Sequence, residues 1–492
     1  MNAATAVAAG RQPVLAAIGT CMQREDDPAS AREPLDLMLA AVRRCAQDAG
    51  AANALAGVTR VYVPRGRWRY RDPGREIARS IGAPDAVTVL AELGVLQQTL
   101  IGDACARIAA GQIAAALVVG GDAGYRIQRA RSAGMRASER QQASDADVRP
   151  SPAEELLHPA EVRAGIRLPA ALYALLESAY RAAEGLSLAA HRAELGALYA
   201  RFTQCAAGNP HAWKRRALAA EEIVTPDARN VLQAFPYTRR MCADWSVDQA
   251  AALLLCSAQH AEALGIAPAQ RVHARASSES NHMTPVVARA DLHRCPGAQR
   301  AGAAALETMG IGIGAIELVE LYSCFPVAVE VYARELGLPL TRELTVTGGM
   351  PFAGGPFNNY VLQATCRMAE LLRAGAGATG LVSSVSGTLT KQGFGLWSRE
   401  PGGFAHVDVT AEVEQLTTAL PVVDAHDGPA RVVACTVVYD KGRAPRALVL
   451  AQTAEGARAL ATSEEPTLVA AIEGRECCGT SVRLRGDTVA FV

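Results

Sequence analysis

Short apolar runs alternate along the chain with segments whose apolar positions recur every three or four residues. Val14–Ile18, Val58–Val63, Ala86–Leu90 and Ala114–Val119 read as strands. Between them, Pro34–Gly50 and Val95–Ala110 carry the helical period, the first opening on proline and closing on glycine. A basic loop, Arg65–Arg75, leads to a short helix that ends near Gly82. Near-continuous apolar strands alternating with helices predict a parallel sheet covered on both faces.

The same rhythm resumes at Val247. Strands are predicted at Val247–Ser257, Arg271–Ser277, Glu317–Tyr322, Thr379–Val385 and Gly393–Trp397. Helices are predicted at Ala258–Leu264, Gly297–Met309, Val327–Leu336 and Asn359–Ala374. A helix, an apolar strand and then glycine occurs at Val95–Gly121 and again at Asn359–Gly387, which predicts an internal duplication of one α/β unit.

Residues 125–245 break the pattern with arginines, polar spacers and two helical stretches, Leu168–Glu184 and Leu188–Ala206. An insertion of this size reads as a lid or binding loop lying over the sheet, or as an arm for oligomer contact. Beyond Pro401-Gly402-Gly403, Val432–Val438, Ala447–Ala451, Thr480–Leu484 and Thr488–Val492 are β-type, with a helical piece at Thr467–Ile472. Closely spaced turn signals there predict a small β-barrel or sandwich. The chain thus divides into 1–124, 125–245, 246–405 and 412–492.

Composition narrows the function. Half of the residues are hydrophobic, enough for a large core, and 49 basic residues balance 49 acidic ones. That balance argues against nucleic acid or a charged membrane surface as partner. No run approaches the roughly 18 apolar residues of a membrane span, and Gly10–Pro13 interrupts any leader-like stretch. The twelve cysteines contain no C-x-x-C pair, so no metal site is expected and a reducing cytoplasm fits.

The chemistry is expected at Thr345–Tyr360, a glycine-rich loop carrying Met350, Phe352, Phe357 and Tyr360. Paired glycines (Gly348-Gly349, Gly354-Gly355) bare the backbone, while the bulky residues suit a pocket wall. Glu317–Pro326 before it and Ser383–Gly395 after it both run from apolar to polar, as strands do when they deliver side chains to a site. Three ordinary turns would give the same glycine content.

Four pieces resemble the thiolase superfamily: VDQAAALLLCSAQHAEALGI, VELYSCFPVAVEVYARELGLP, GGMPFAGGP and the strand-helix unit ending at Gly121. The resemblance spans about residues 10–400. It is nearest to thiolase-like proteins of type 1, relatives of the sterol-carrier-protein thiolases with an additional C-terminal β domain, matched here from about Glu412. It implies a five-layered αβαβα core of two duplicated halves with a loop insertion, plus a small barrel or OB-like domain. It also implies a coenzyme A thioester as substrate, no covalently bound cofactor, and Claisen-type chemistry through a thiolate, a base and oxyanion donors. Thiolases dimerise through a sheet edge, whereas type 1 proteins with the extra domain can be monomers.

This sequence departs from the pattern at the reactive positions. Leu93–Gln98 stands where the nucleophilic cysteine opens its helix, and Cys105 lies three turns further in, as a core residue would. Tyr322-Ser323-Cys324-Phe325 replaces the His-Asp-x-Phe box, Gly355 replaces the histidine of Gly-His-Pro, and Val385-Ser386-Gly387 replaces Cys-x-Gly. The catalytic candidates that remain are Tyr322, Cys324, Ser386, Asn358, Tyr360 and Lys391.

Tyr322 would serve as acid/base or oxyanion donor, with Lys391 as the cation that lowers its pKa. Cys324 is a relocated nucleophile or a packed thiol. Asn358 and Asn359 open a helix as amide donors or as its cap. Gly354, Gly355 and Gly387 would let the ligand approach. Tyr237, Arg239 and Arg240 lie where relatives contact coenzyme A, with Trp245 and Asp248 just beyond; a salt-bridged surface is the alternative for the arginines. His211 in the insertion reads as structural.

Three functions follow: acyltransferase-type or carbon–carbon bond chemistry on an acyl-CoA without the usual cysteine, retro-aldol cleavage of a β-hydroxyacyl-CoA through Tyr322, or non-catalytic acyl-CoA binding. The second rests on the steroid side-chain aldolases, thiolase relatives in which tyrosines replace the usual residues and a β-barrel partner docks alongside.

Overall fold

The computed structural model describes residues 9–51, 53–166 and 169–491. The first half of the body comprises β1 (Pro13–Gln23), α1 (Pro34–Ala49), β2 (Arg60–Pro64), α2 (Pro73–Ser80), β3 (Val87–Ala91), α3 (Gln97–Ala109) and β4 (Ala115–Ala123). The insertion contributes α4 (Gly124–Ser132), α5 (Pro159–Arg163), α6 (Pro169–Ala183), α7 (Leu188–Gly208), α8 (Ala220–Val224), β5 (Leu232–Ala234) and β6 (Tyr237–Thr238). The body then continues with β7 (Asp248–Ser257), α9 (Ala258–Ala263), β8 (Val272–Ser280), α10 (Pro296–Met309), β9 (Leu318–Glu320) and α11 (Pro326–Leu336). It closes with α12 (Tyr360–Arg373), β10 (Thr379–Ser386), β11 (Lys391–Ser398), β12 (Ala405–Asp408) and α13 (Thr410–Leu416).

The duplication is visible in the hydrogen bonding. The ten-stranded sheet contains the order β2-β4-β7-β1 followed by β8-β11-β10-β9, the same four-strand pattern run twice. In each copy the first pair (β2/β4, β9/β10) is parallel and the next two pairings are antiparallel. The copies join where Val14 and Leu15 of β1 pair with His273 and Val272 of β8. The expected parallel sheet is therefore mixed, because β7 and β11 run back between parallel neighbours. Helices α3 and α12 pack against strands of both copies, with α1 and α2 outside the first and α10 outside the second, α11 lying between α10 and α6. These are the five layers, α/β/α/β/α.

Close packing of the outer layer depends on a bare backbone at Gly19 of β1, where a Cβ would sit 2.1 Å from the Ala41 carbonyl oxygen of α1. The outer edge of β3 is occupied by the insertion: Leu90 N–H donates to the Val148 carbonyl (2.9 Å) and Val148 N–H to that of Thr88 (3.0 Å). An edge paired within the chain offers no template to another molecule.

The C-terminal strands β13 (Val422–Val423), β14 (Gly428–Val438), β15 (Arg446–Thr453), β16 (Arg458–Ser463), β17 (Ser481–Arg485) and β18 (Thr488–Phe491) surround α14 (Pro466–Gly474). Five of them close a barrel in the order β14-β15-β16-β18-β17 and back to β14. Two differences from the sequence reading stand out. β12 still pairs with β8 of the body, so the composition changes at Pro401 before the structure does. β5, from the insertion, pairs with β14 at Ala234–Val438, which ties the barrel to the body. The expected helix start at Leu168 and strand end at Val492 lie outside the described residues. Among the described residues no helix is long and apolar enough to cross a membrane.

Replacing Gly19 by alanine puts a methyl group into helix backbone that cannot move aside. Gly19→Ala is expected to lower stability by about 3 kcal/mol, read as a fall in the urea unfolding midpoint without a change of slope.

Candidate active site

The three stretches singled out in the sequence meet at the ends of β9 and β10. Glu320, the last residue of β9, is fully buried. Its carboxylate accepts from the backbone N–H of Val346 (2.7 Å) and Thr347 (2.9 Å), from the hydroxyls of Thr345 (3.0 Å) and Thr347 (3.1 Å), and from Tyr360 (2.5 Å). Burial pushes the Glu320 carboxyl upward against these stabilising bonds. The glycine-rich loop is further joined to the β9 turn by Met350 N–H, which donates to the Ser323 hydroxyl (3.0 Å). The β9 and β10 ends are held together by Tyr322 N–H donating to the Ser383 hydroxyl (2.8 Å).

Gly348 has φ +99°, and a Cβ there would meet Ala206 of α7 at 2.4 Å. At Gly354, with φ +105°, a Cβ would meet Gln249 of β7 at 2.2 Å. Gly355 lies against Met350 and Ala243. The loop's glycines therefore serve protein packing on these sides.

The tyrosines around these turns differ in what their hydroxyls do. Tyr360 donates to Glu320 and shares a 2.6 Å bond with Thr347. Tyr173 of α6 donates to the Gly387 carbonyl (3.2 Å), Tyr332 to that of Ser384 (3.1 Å), and Tyr237 to Glu177 (2.6 Å). Tyr322 stands edge-on to Tyr360, ring centroids 5.7 Å apart, and its hydroxyl has no hydrogen-bond partner among the described residues. Burial raises its pKa, and Cys324 beside it adds to the shift.

That raises a correction to the role expected of Lys391. Its amino group is buried, donates to the Gly94 carbonyl (3.4 Å) and faces Glu154 of the insertion. Burial pulls its own pKa down, and it does not lower that of Tyr322.

Cys324 is buried, its thiol pushed up to about 12 by burial, and it is engaged by the Tyr173 hydroxyl. Cys105 is a core residue of α3 with a pKa raised by burial. Neither is a thiolate near neutral pH.

Gln97, within the stretch that the resemblance sets against the thiolase cysteine, opens α3. Its Oε1 accepts from Val361 N–H (2.8 Å) and its Nε2 donates to Asn358 Oδ1 (3.4 Å), clasping the starts of α3 and α12. Neither asparagine caps α12: the Asn359 side chain makes no capping bond, and both its polar atoms are buried without a partner. Asn358 Nδ2 is likewise unpaired.

Ser386 is half-buried at the end of β10. It is followed by Gly387 at φ +65° and by Leu389 at φ +53°, a strained conformation for a branched residue. Arg289 fixes this turn by donating to the carbonyls of Thr388 and Leu389. Leu156 and Pro152 of the insertion cover Gly94, and Leu156 also reaches Gly387.

The residues expected to hold coenzyme A are not one surface. Tyr237 is fully buried with its hydroxyl committed to Glu177, which corrects its assignment as a nucleotide contact. Asp248 is also fully buried and accepts from Arg126 N–H (3.0 Å) and Gln23 (3.2 Å), so it too is structural. Arg240 donates to the Glu222 carbonyl and lies 3.7 Å from Asp227. Arg239 is exposed. Half-buried Trp245 meets Phe357 edge-on at 5.6 Å, beside Arg67, in a separate aromatic cluster. His211 is held in place: its ring lies 3.2 Å from the Thr20 hydroxyl and 2.7 Å from Glu370.

Glu320, Gln97 and Tyr173 escaped the sequence reading. Glu320 was concealed inside an apolar run, although a lone carboxylate there is the signal that a buried polar partner must exist.

No protein-family model matches the sequence, and no curated protein matches it. Among solved structures, a monomeric SCP2-thiolase-like protein type 1 from Mycobacterium smegmatis superposes with a TM-score of 0.82 at 27% identity, covering 98% of this chain and 99% of that one. The Ltp2-ChsH2(DUF35) aldolase superposes with a TM-score of 0.61 at 18% identity, covering 80% of this chain and 99% of that one. The second likeness is one of fold alone. The chain thus has a thiolase-like fold with an additional C-terminal barrel and resembles thiolase-like protein type 1.

Removing the two tyrosine hydroxyls should have unequal effects. Tyr360→Phe leaves Glu320 and Thr347 short of a buried partner and is expected to cost about 1–3 kcal/mol. Tyr322→Phe removes no internal bond and is expected to stay within about 0.5 kcal/mol of wild type. Urea unfolding of the pair measures the difference.

Proposed function

We propose that the protein binds a coenzyme A thioester at the turns after β9 and β10 and makes or breaks the carbon–carbon bond beside the thioester by proton transfer through Tyr322. No cysteine acyl-enzyme takes part in this reading. The observation that carries it is that Tyr173, Tyr237, Tyr332 and Tyr360 commit their hydroxyls to protein partners and the unpartnered Tyr199 is fully sealed, whereas the free hydroxyl of Tyr322 belongs to a side chain still 8% exposed, while the nearby thiol of Cys324 stays protonated.

In the cleavage direction the substrate is a β-hydroxyacyl-CoA. The hydroxyl proton leaves to solvent, which returns a proton to Tyr322 after turnover; the Cα–Cβ bond breaks, and Cβ becomes a carbonyl. Its electron pair passes to the thioester as an enolate, which is then protonated. A neutral phenol suits the last part of that sequence, as donor to the enolate oxygen and as proton source. Raised above its ordinary value near about 10, Tyr322 stays protonated through neutral and mildly alkaline pH. The likeness to a thiolase-like protein supports the ligand class, and the aldolase-named structure shares the fold in which such a reaction is housed. No further cofactor is required. Occupation of the β3 edge by residues 146–150 supports a monomer.

Purified protein is expected to bind an acyl-CoA in calorimetry and to turn over a β-hydroxyacyl-CoA in a mass-spectrometric screen. Tyr322→Phe should reduce turnover by about 100-fold or more with affinity unchanged, and Cys324→Ser should leave the rate intact. The rate should not fall between about pH 7 and 9 through loss of the Tyr322 proton. Binding without turnover of any acyl-CoA would leave a non-catalytic binding protein, and absence of binding would remove the ligand class itself.

A further inference from the structure

Behind the candidate site, Glu177 of α6, His191 of α7 and Glu330 of α11 converge in the interior. His191 Nε2 lies 2.8 Å from Glu177 Oε1 and 3.3 Å from Glu330 Oε1. Both carboxylates are fully buried, and one ligand atom from each of the three residues lies within 4.8 Å of the others. Among the described residues neither carboxylate pairs with lysine or arginine. Tyr237 donates to the second oxygen of Glu177 (2.6 Å), while Glu177 Oε1 and Glu330 Oε2 are both sealed from water without a donor and the two carboxyl groups lie against one another.

Two carboxylates around one imidazole leave a net negative charge where solvent cannot answer it, even when the imidazole is protonated. Such a group requires one more proton or a cation. We propose that Glu177, His191 and Glu330 form a binding site for a divalent first-row transition-metal ion, with zinc as its simplest occupant. A neutral imidazole and two carboxylates balance a double positive charge completely. Metal–ligand bonds of about 2.0–2.2 Å place neighbouring ligand atoms about 3.0–3.5 Å apart; Nε2 lies 3.3 Å from the Glu330 oxygen and 2.8 Å from that of Glu177, so the Glu177 contact opens slightly to admit the ion.

The unpaired Glu330 Oε2 supplies a fourth donor, giving one nitrogen and three oxygens, a set that suits zinc or manganese. Tyr237 acts from outside the site by orienting Glu177. The ion would fasten α6 and α7 of the insertion to α11 of the body and would enter as they dock, since the site is closed once folded.

The rival arrangement is a proton shared by the carboxylates, and Glu330→Gln separates the two. Glutamine reproduces a protonated carboxyl but not an anionic ligand. The full-length protein, produced with zinc in the medium, is expected to carry about one zinc per chain by mass spectrometry of the metal. Chelation during refolding should lower Tm by roughly 5 °C or more, reversed by zinc. Glu330→Gln should weaken zinc binding at least tenfold. The proposal is overturned if wild-type protein refolded with zinc or manganese holds neither ion, or if Glu330→Gln retains the wild-type content. Zinc-independent wild-type stability would also overturn it, and that measurement stands even if the variant fails to fold.

Discussion

A carboxylate withdrawn from water must find all of its partners inside the protein, and Glu320 finds five. They come from the Thr345–Thr347 backbone and hydroxyls and from Tyr360 at the start of α12. One side chain at the end of β9 thereby fixes both where the glycine-rich loop begins and where the following helix starts. An apolar residue could fill the same volume but would take the acceptor from Val346 N–H and leave the Thr345, Thr347 and Tyr360 hydroxyls only one another. The loop can be rich in glycine and still be rigid because this group determines its path. The glycines then permit contact with α7 and β7 at distances no side chain would tolerate.

Around that fixed point the helix starts and the insertion are tied together. The Gln97 amide couples the start of α3 to α12, and Cys324 on the β9 turn is held as a thiol by burial. The insertion contributes from above: Tyr173 reaches the Gly387 carbonyl, and Pro152 and Leu156 lie over Gly94. Most polar side chains at the three turns are consumed in holding one another. Few are left free, the Tyr322 hydroxyl among them.

The layered fold was legible in the sequence because apolar runs and helical periods are local properties of the chain. So was the duplication, since the Val95–Gly121 and Asn359–Gly387 units became α3–β4 and α12–β10. The antiparallel direction of β7 and β11 was not, because a buried apolar strand reads the same in either direction. The meeting of the three turns was anticipated from their composition, but the part each residue plays was not. Tyr237 and Tyr322 look alike as letters, and only tertiary contact shows that Glu177 occupies one hydroxyl and nothing occupies the other. The Glu177–His191–Glu330 cluster was invisible for the same reason, since no short spacing joins its members.

The hydrogen bond between Phe235 of the insertion and Val437 of β14 (2.8 Å), with Cys435 N–H on the Ser178 hydroxyl of α6 (3.0 Å), has a bearing on how the chain is made. Helix α6 leaves the ribosome about 250 residues before the strand that covers it. At about 5–20 residues per second, that interval is roughly 12–50 seconds. Throughout it, an apolar helix surface has no final resting place, so the nascent chain offers chaperones a prolonged target that the finished protein conceals.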